Sequence, residues 1–211
     1  MTQSFPGSGR RLHGWTRDLH LYAGLFLSPF ILIFAFSTLA LNHPGQIRAA
    51  AETGAPWTQP VTFDPNAPGT LVQARSILGQ LRLTGEIDNI MHNKKAGRLT
   101  IPVSKPGELT TVTVDLASSV ATVQRKVEGM AAALIYLHKR PGPHLVMFRG
   151  NWSYMAAWTR LADATVYGTF FLTATGLYLW WFFKAERRLG WVLLAAGLLT
   201  VGGLATAIAA T

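Results

Sequence analysis

Histidine is the residue type in this chain with the clearest chemical potential, because a neutral imidazole is the commonest metal ligand among side chains. The chain has six histidines and no cysteine, so disulfides, thiolate zinc sites, iron–sulfur clusters and cysteine nucleophiles are excluded. His13 lies in a basic segment, where contact with lipid head groups is the favoured interpretation, and His92 is predicted to be a solvated turn residue. The four candidate ligands are His20, His43, His138 and His144.

The spacing of these four histidines separates them into two groups. His43 follows His20 by 23 positions in an apolar stretch, and a helix of that length would separate them by roughly 34 Å, about the thickness of a bilayer. They therefore cannot share one small ligand within one chain. His138 and His144 precede the next apolar run and are predicted to lie on the same side as His43. Imidazoles grouped in this way bind metals or haem iron, although each could instead be an interfacial residue that hydrogen-bonds to backbone.

Asp163 opens the second apolar run, and Arg160 lies three positions earlier. A carboxylate near hydrocarbon is costly unless it is paired or wetted, so Arg160 is its predicted partner. Asp163 could orient a metal ligand or relay protons. It could equally be a helix N-terminal residue that the helix dipole favours.

The elements that must position these residues are predicted to be membrane helices. Hydrophobic residues make up 49% of the 211 residues and charged residues only 14%, which is unusual for a soluble domain. The predicted fold class is therefore three transmembrane helices, with a small α+β domain outside the membrane between the first and second. The predicted segments are a cytoplasmic basic tail (1–17), helix 1 (18–43), a periplasmic domain with its connector (44–126), an amphipathic or interfacial segment (127–162), helix 2 (163–184), a cytoplasmic loop (185–189) and helix 3 (190–211).

Charge predicts the orientation of these spans. Short basic segments precede the first span and separate the second from the third, and such segments face the cytoplasm. The main domain would then be periplasmic. The net charge of +9 is better explained by these flanks than by nucleic-acid binding, because no basic helix or aromatic platform for RNA stands out.

The predicted periplasmic domain contains one helix and an antiparallel meander. Residues 71–83 have apolar residues at helical spacing, after a connector rich in Pro and Gly (44–69). Strand-like runs follow, with turn residues between the later ones. They are residues 86–91, 98–103, 109–116 and 120–123, and a short amphipathic helix is predicted at 127–138.

The chain resembles the PepSY-associated transmembrane family. The segments that carry the resemblance are Arg17-Asp-Leu-His-Leu-Tyr-Ala-Gly24, Ser37 to His43, Leu137-His-Lys-Arg-Pro-Gly-Pro-His144 and Thr175-Gly-Leu-Tyr-Leu-Trp180. Residues 69–125 are similar to a PepSY module. Larger relatives include inner-membrane reductases of ferric-siderophore uptake, which bind b-type haem through membrane histidines and pass electrons outward.

The resemblance implies that His20, His43, His138 and His144 are haem ligands. The chain departs from those reductases, since it has three predicted spans instead of four or more and shows no nicotinamide or flavin domain. Electrons would therefore come from a quinol, a soluble donor or a partner protein. A homodimer would give His20 a second ligand from the other copy.

Three functions follow as expectations. The first is a haem-binding redox protein of the bacterial inner membrane, a ferric-siderophore reductase. Its outer domain would favour anionic chelates, because residues 48–163 carry thirteen basic and eight acidic side chains. The alternative is a non-catalytic, membrane-tethered PepSY module that binds, regulates or assembles other proteins. Copper or haem handling without electron transfer is a third possibility.

Overall fold

A computed structural model describes residues 7–43, 50–64, 66–139, 151–182 and 187–210. The chain divides into two compact units. Residues 30–164 form one, and residues 1–29 with 165–211 form the other. The first contains a β-sheet and the second consists of helical segments.

The first unit is built on an antiparallel sheet of seven strands. Its centre is the meander β5–β6–β7, in which Ile101, Val112 and Val123 are cross-strand neighbours. Each edge is completed by two short strands, β1 and β2 beside β7, and β3 and β4 beside β5. The strands are β1 Glu52–Thr53, β2 Trp57–Pro60, β3 Glu86–Ile87, β4 Met91–Asn93, β5 Arg98–Lys105, β6 Glu108–Asp115 and β7 Val120–Val127.

Helix α1 (Gly7–Asn42) precedes this sheet, and helix α2 (Thr70–Gln80) packs on it. The apolar residues of α2 recur at helical spacing, so they occupy one face. Ala74, Ile77 and Leu78 are buried with the valines and isoleucines of the central strands in one hydrophobic core. Burial of this apolar surface is the main force that holds helix and sheet together.

Two side-chain amides bind backbone groups beside the sheet. Asn151 accepts a hydrogen bond from the Ile87 N–H (2.9 Å) and donates one to the Ile87 carbonyl (2.8 Å). Gln80 does the same for Thr62, at 2.7 and 3.0 Å. The amide of Asn151 thereby takes the place of a neighbouring strand at β3.

The remaining helices are α3 (Gly129–Lys139), α4 (Ser153–Phe182) and α5 (Arg187–Ala209). Pro29 lies inside α1 and has no N–H to donate to the carbonyl of Leu25. The hydroxyl of Ser28 donates to that carbonyl instead, at 2.9 Å. Such a replacement is how helices in hydrocarbon tolerate an interior proline.

The helical unit is held by close packing of α1 against α4. A Cβ at Gly168 would overlap the Cδ1 atom of Leu27, and a Cβ at Gly24 would lie 3.8 Å from Leu172. Gly168 therefore lets the two helices approach more closely than any larger residue would. Leu27 is buried by this approach.

The predicted fold class is wrong. Within the described residues, two helices are long and apolar enough to cross a membrane, Arg11–Asn42 and Arg187–Ala209. The predicted second span, 163–184, falls mostly within α4, which begins in polar sequence at Ser153. Threonines, tyrosines, tryptophans and glycines interrupt its aliphatic residues and lower its mean hydropathy, so it is not one of the two.

The prediction of a small α+β module between the first two spans is also wrong. The structure has a sheet of seven strands, because both edges carry additional short strands. Two of them, β1 and β2, lie in the predicted connector 44–69, and β7 extends to Val127 to pair with them. The predicted strand 86–91 is replaced by β3 and β4. Residues 44–49, 140–150 and 183–186 lie outside the described part.

Candidate functional site

His138 lies in the last turn of α3, in the sheet-bearing unit. Its Nδ1 atom is 2.8 Å from the Oγ of Ser37 on α1. Ser37 is fully buried, and its hydroxyl donates a hydrogen bond of 2.8 Å to the carbonyl of Phe34. One nitrogen of His138 is therefore engaged by a hydroxyl that is itself anchored to the helix backbone.

An aromatic ring contacts His138, and a second aromatic side chain packs against the first. The ring of Phe34 meets that of His138 edge-on, with the centroids 5.8 Å apart, and also lies 6.1 Å from the ring of Trp158 on α4. The indole N–H of Trp158 donates to the carbonyl of Leu137 at 2.9 Å. This bond satisfies one of the carbonyls that the end of α3 leaves without an intrahelical partner.

Tyr136 connects the same turn of α3 to the sheet. Its hydroxyl lies 3.3 Å from a carboxylate oxygen of Glu86 on β3 and 3.4 Å from the carbonyl of Ser104 on β5. Glu86 is 1% exposed. The consecutive residues Tyr136, Leu137 and His138 therefore bond to the sheet, to α4 and to α1 in turn.

His20 has an equivalent arrangement in the helical unit. Its Nδ1 atom is 2.7 Å from the Oγ1 of Thr175 on α4. The Thr175 hydroxyl lies 2.7 Å from the carbonyl of Phe171 and donates to it. Gly176 leaves room for the ring, since a Cβ there would be 3.5 Å from Cε1 of His20.

His13 is a residue whose environment sequence reasoning missed. Its ring contacts Phe182 and Tyr178 on α4, with centroids 5.3 and 6.3 Å away. Its Nδ1 atom is buried and has no hydrogen-bond partner within the part of the chain that the structure describes. The available signal was its spacing of seven from His20, which places both histidines on one helix face, and both contact α4.

The structure does not bring the other predicted site residues together. His43 is exposed immediately after the end of α1, where its N–H bonds to the Leu39 carbonyl, and His144 lies outside the described residues. Arg160 and Asp163 are both exposed on α4, and no ion pair joins them in the part of the chain that the structure describes. That part also contains no group of three His, Asp or Glu residues able to hold a metal ion.

Comparison with protein-family models, curated proteins and solved structures gives no match. The resemblance to the PepSY-associated transmembrane family therefore stays a prediction.

The chemistry of both sites fits a haem ligand. A metal-bound histidine commonly has its second nitrogen hydrogen-bonded, which fixes the ring in place. His20 and His138 each have one nitrogen engaged in this way, by Thr175 and Ser37. Each site contributes one histidine from the described residues, and a single histidine is a sufficient protein ligand for haem iron in several protein classes.

Proposed function

We propose that this chain is a haem-binding electron-transfer protein of the bacterial inner membrane. In this proposal it reduces an iron chelate of the ferric-siderophore class on the periplasmic side. Its N-terminus faces the cytoplasm and its sheet-bearing unit faces the periplasm, as the basic segment at the start of α1 favours. Two helices long and apolar enough to cross a membrane are compatible with such a location.

The observation that carries the proposal is the matched hydrogen bonding of His20 and His138. An imidazole that serves only as an interfacial polar group can bond to water or backbone by either nitrogen. Here both rings are held through Nδ1 by a hydroxyl from another helix, so both can present Nε2 to a ligand. The ring of Phe34, which packs against Trp158, contacts His138 and would favour an apolar group beside it.

In this function His138 serves the periplasmic side and His20 the cytoplasmic side. His43 and His144 stay candidate second ligands near His138, and a second copy of the chain is the candidate source of a partner for His20. A bound b-type haem would supply one-electron chemistry. The electrons would come from a quinol or a partner protein.

The test is a spectrum of the full chain purified in detergent from cells supplied with haem precursor. We expect sharp b-type bands in the dithionite-reduced minus oxidised difference spectrum. His20→Ala and His138→Ala should each lower the haem content per chain. His92→Ala is the matched control, because His92 is exposed on β4 and should leave haem content unchanged.

A flat spectrum from haem-replete cells would refute this function. The alternative would then be the membrane-tethered binding module, which needs no cofactor. Equal haem loss in the three variants would also count against it, since His92 touches neither site.

A further inference from the structure

We propose that Ser37 and Thr175 are positioning residues that hold His138 and His20 in the tautomer with the proton on Nδ1, so that Nε2 presents its lone pair. The tautomer follows from the hydrogen bonds alone. That Nε2 then faces haem iron rests on the proposed function.

A serine or threonine hydroxyl has one proton to donate and two lone pairs that accept. The Ser37 proton is donated to the Phe34 carbonyl at 2.8 Å. The Thr175 proton is donated to the Phe171 carbonyl at 2.7 Å, in a bond within α4.

Each hydroxyl can therefore only accept from its histidine. The Nδ1 atoms lie 2.8 Å from Ser37 Oγ and 2.7 Å from Thr175 Oγ1, so each Nδ1 must carry the proton that forms the bond. In a neutral imidazole the other nitrogen is then bare. A bare Nε2 is what a metal ion or a proton donor requires.

His13 provides a contrast within the same helix. Among the described residues, its buried Nδ1 atom has no hydrogen-bond partner. A buried N–H without an acceptor is a rarer and costlier arrangement than a buried lone pair without a donor. His13 should therefore carry its proton on Nε2, the opposite tautomer from His20, although both histidines face α4.

The experiment is a ¹⁵N NMR measurement of histidine tautomers. The full chain, labelled with ¹⁵N-histidine and made without haem, is studied in detergent at a pH of about 9, above the pKa of an ordinary imidazole. We expect His20 and His138 to show a protonated Nδ1 and a bare Nε2, and His13 to show the reverse. The exposed His43 and His92 provide solvent-averaged references.

Variants then test the two hydroxyls separately. Thr175→Val keeps the shape but removes the acceptor, and should lower the ratio of Nδ1–H to Nε2–H at His20 by roughly fivefold or more. Thr175→Ser should restore it, and His138 should not change. Ser37→Ala and Ser37→Thr form the corresponding pair for His138. Thr173→Val is the control, because among the described residues the Thr173 hydroxyl bonds to the Thr169 carbonyl alone.

A protonated Nε2 at His20 and His138 in the wild type would overturn the inference. This measurement does not depend on whether the variants fold. A tautomer ratio at His20 that is unchanged in Thr175→Val would also overturn the inference. Haem titration keeps the two proposals apart. If the wild type binds haem, Thr175→Val should weaken binding by about tenfold to a hundredfold. If it binds none, the proposed function fails while the tautomer result stands.

Discussion

Ser37 and His138 are 101 positions apart in the chain, and their side chains are joined by a hydrogen bond of 2.8 Å. Ser37 is fully buried, so water cannot replace it as a partner for the histidine. The bond therefore has a structural consequence that does not depend on any cofactor.

Replacing Ser37 should destabilise the chain. Ser37→Ala removes the partner of a part-buried imidazole, and the free energy of unfolding should fall by about 1–3 kcal/mol. Thr38→Ala removes the neighbouring hydroxyl, which is exposed and, in the described part of the chain, bonds to the Phe34 carbonyl alone, so its effect should stay within about 0.5 kcal/mol. Chemical unfolding of the full chain in detergent measures both. Equal losses would show that the bond to His138 adds nothing.

A side chain at Gly168 should destabilise the protein, because Leu27 would have to move. In Gly168→Ala the new Cβ overlaps Leu27, and such overpacking costs about 1–3 kcal/mol. Gly197→Ala is the matched helical control, because a Cβ there meets no atom within 4 Å. It should be neutral or stabilising, since alanine has the higher helix propensity. Thermal unfolding of the two variants compares them, and a stable Gly168→Ala protein would contradict the close approach of α1 and α4.

Asn151 should control the exchange of one backbone amide. Asn151→Ala removes both bonds to Ile87, so the Ile87 N–H should lose its protection against hydrogen exchange. Gln80→Ala removes the equivalent pair at Thr62. Because that pair is exposed, Gln80→Ala should lower the free energy of unfolding less than Asn151→Ala does. Retained protection at Ile87 in the alanine variant would mean that another group covers this edge.

Acid should weaken the turn that follows β6. The backbone N–H groups of Ser118 and Ala117 hold the pKa of the Asp115 carboxyl below its ordinary value of 3.8. Because the native pKa is the lower one, the stabilisation is complete above pH 3.8 and is lost as the pH falls through the native value.

Urea unfolding of wild type and Asp115→Ala across this pH range measures the effect. The stability difference between them should be largest at neutral pH and should close in strong acid. Asp115→Asn keeps an acceptor oxygen but cannot ionise, so this part of the pH dependence should disappear. A difference that is constant with pH would argue against the lowered pKa.

Local sequence pattern predicted the middle of the sheet well. Val112 and Val114 alternate with threonines, and the turn at Lys105-Pro-Gly107 separates β5 from β6 as predicted. The edge strands β1 and β2 were missed because they are short and lie among residues that favour loops, namely Gly54, Pro56 and Pro60. Their pairing with β7 depends on tertiary contact, which local pattern does not encode.

The candidate site was only half predictable. His20 and His138 were singled out by residue type and by their position near apolar runs. Their partners could not be found, because Thr175 and Ser37 resemble other helix hydroxyls and are identified only by the packing of distant segments. The prediction of α4 as a span failed for a compositional reason, since it gave too little weight to the many threonines among its apolar residues.

The two hydrogen bonds between the Asn151 amide and the Ile87 backbone have a consequence for the synthesis of the chain on the ribosome. Asn151 follows Ile87 by 64 positions, so at ribosomal rates the edge of β3 is exposed for roughly 3–13 seconds before its cover is translated. During that interval β3 is an open template for pairing with other nascent chains. Slower translation through this segment would lengthen the exposure. A chaperone that binds extended segments would reduce pairing of the exposed β3 edge with other chains.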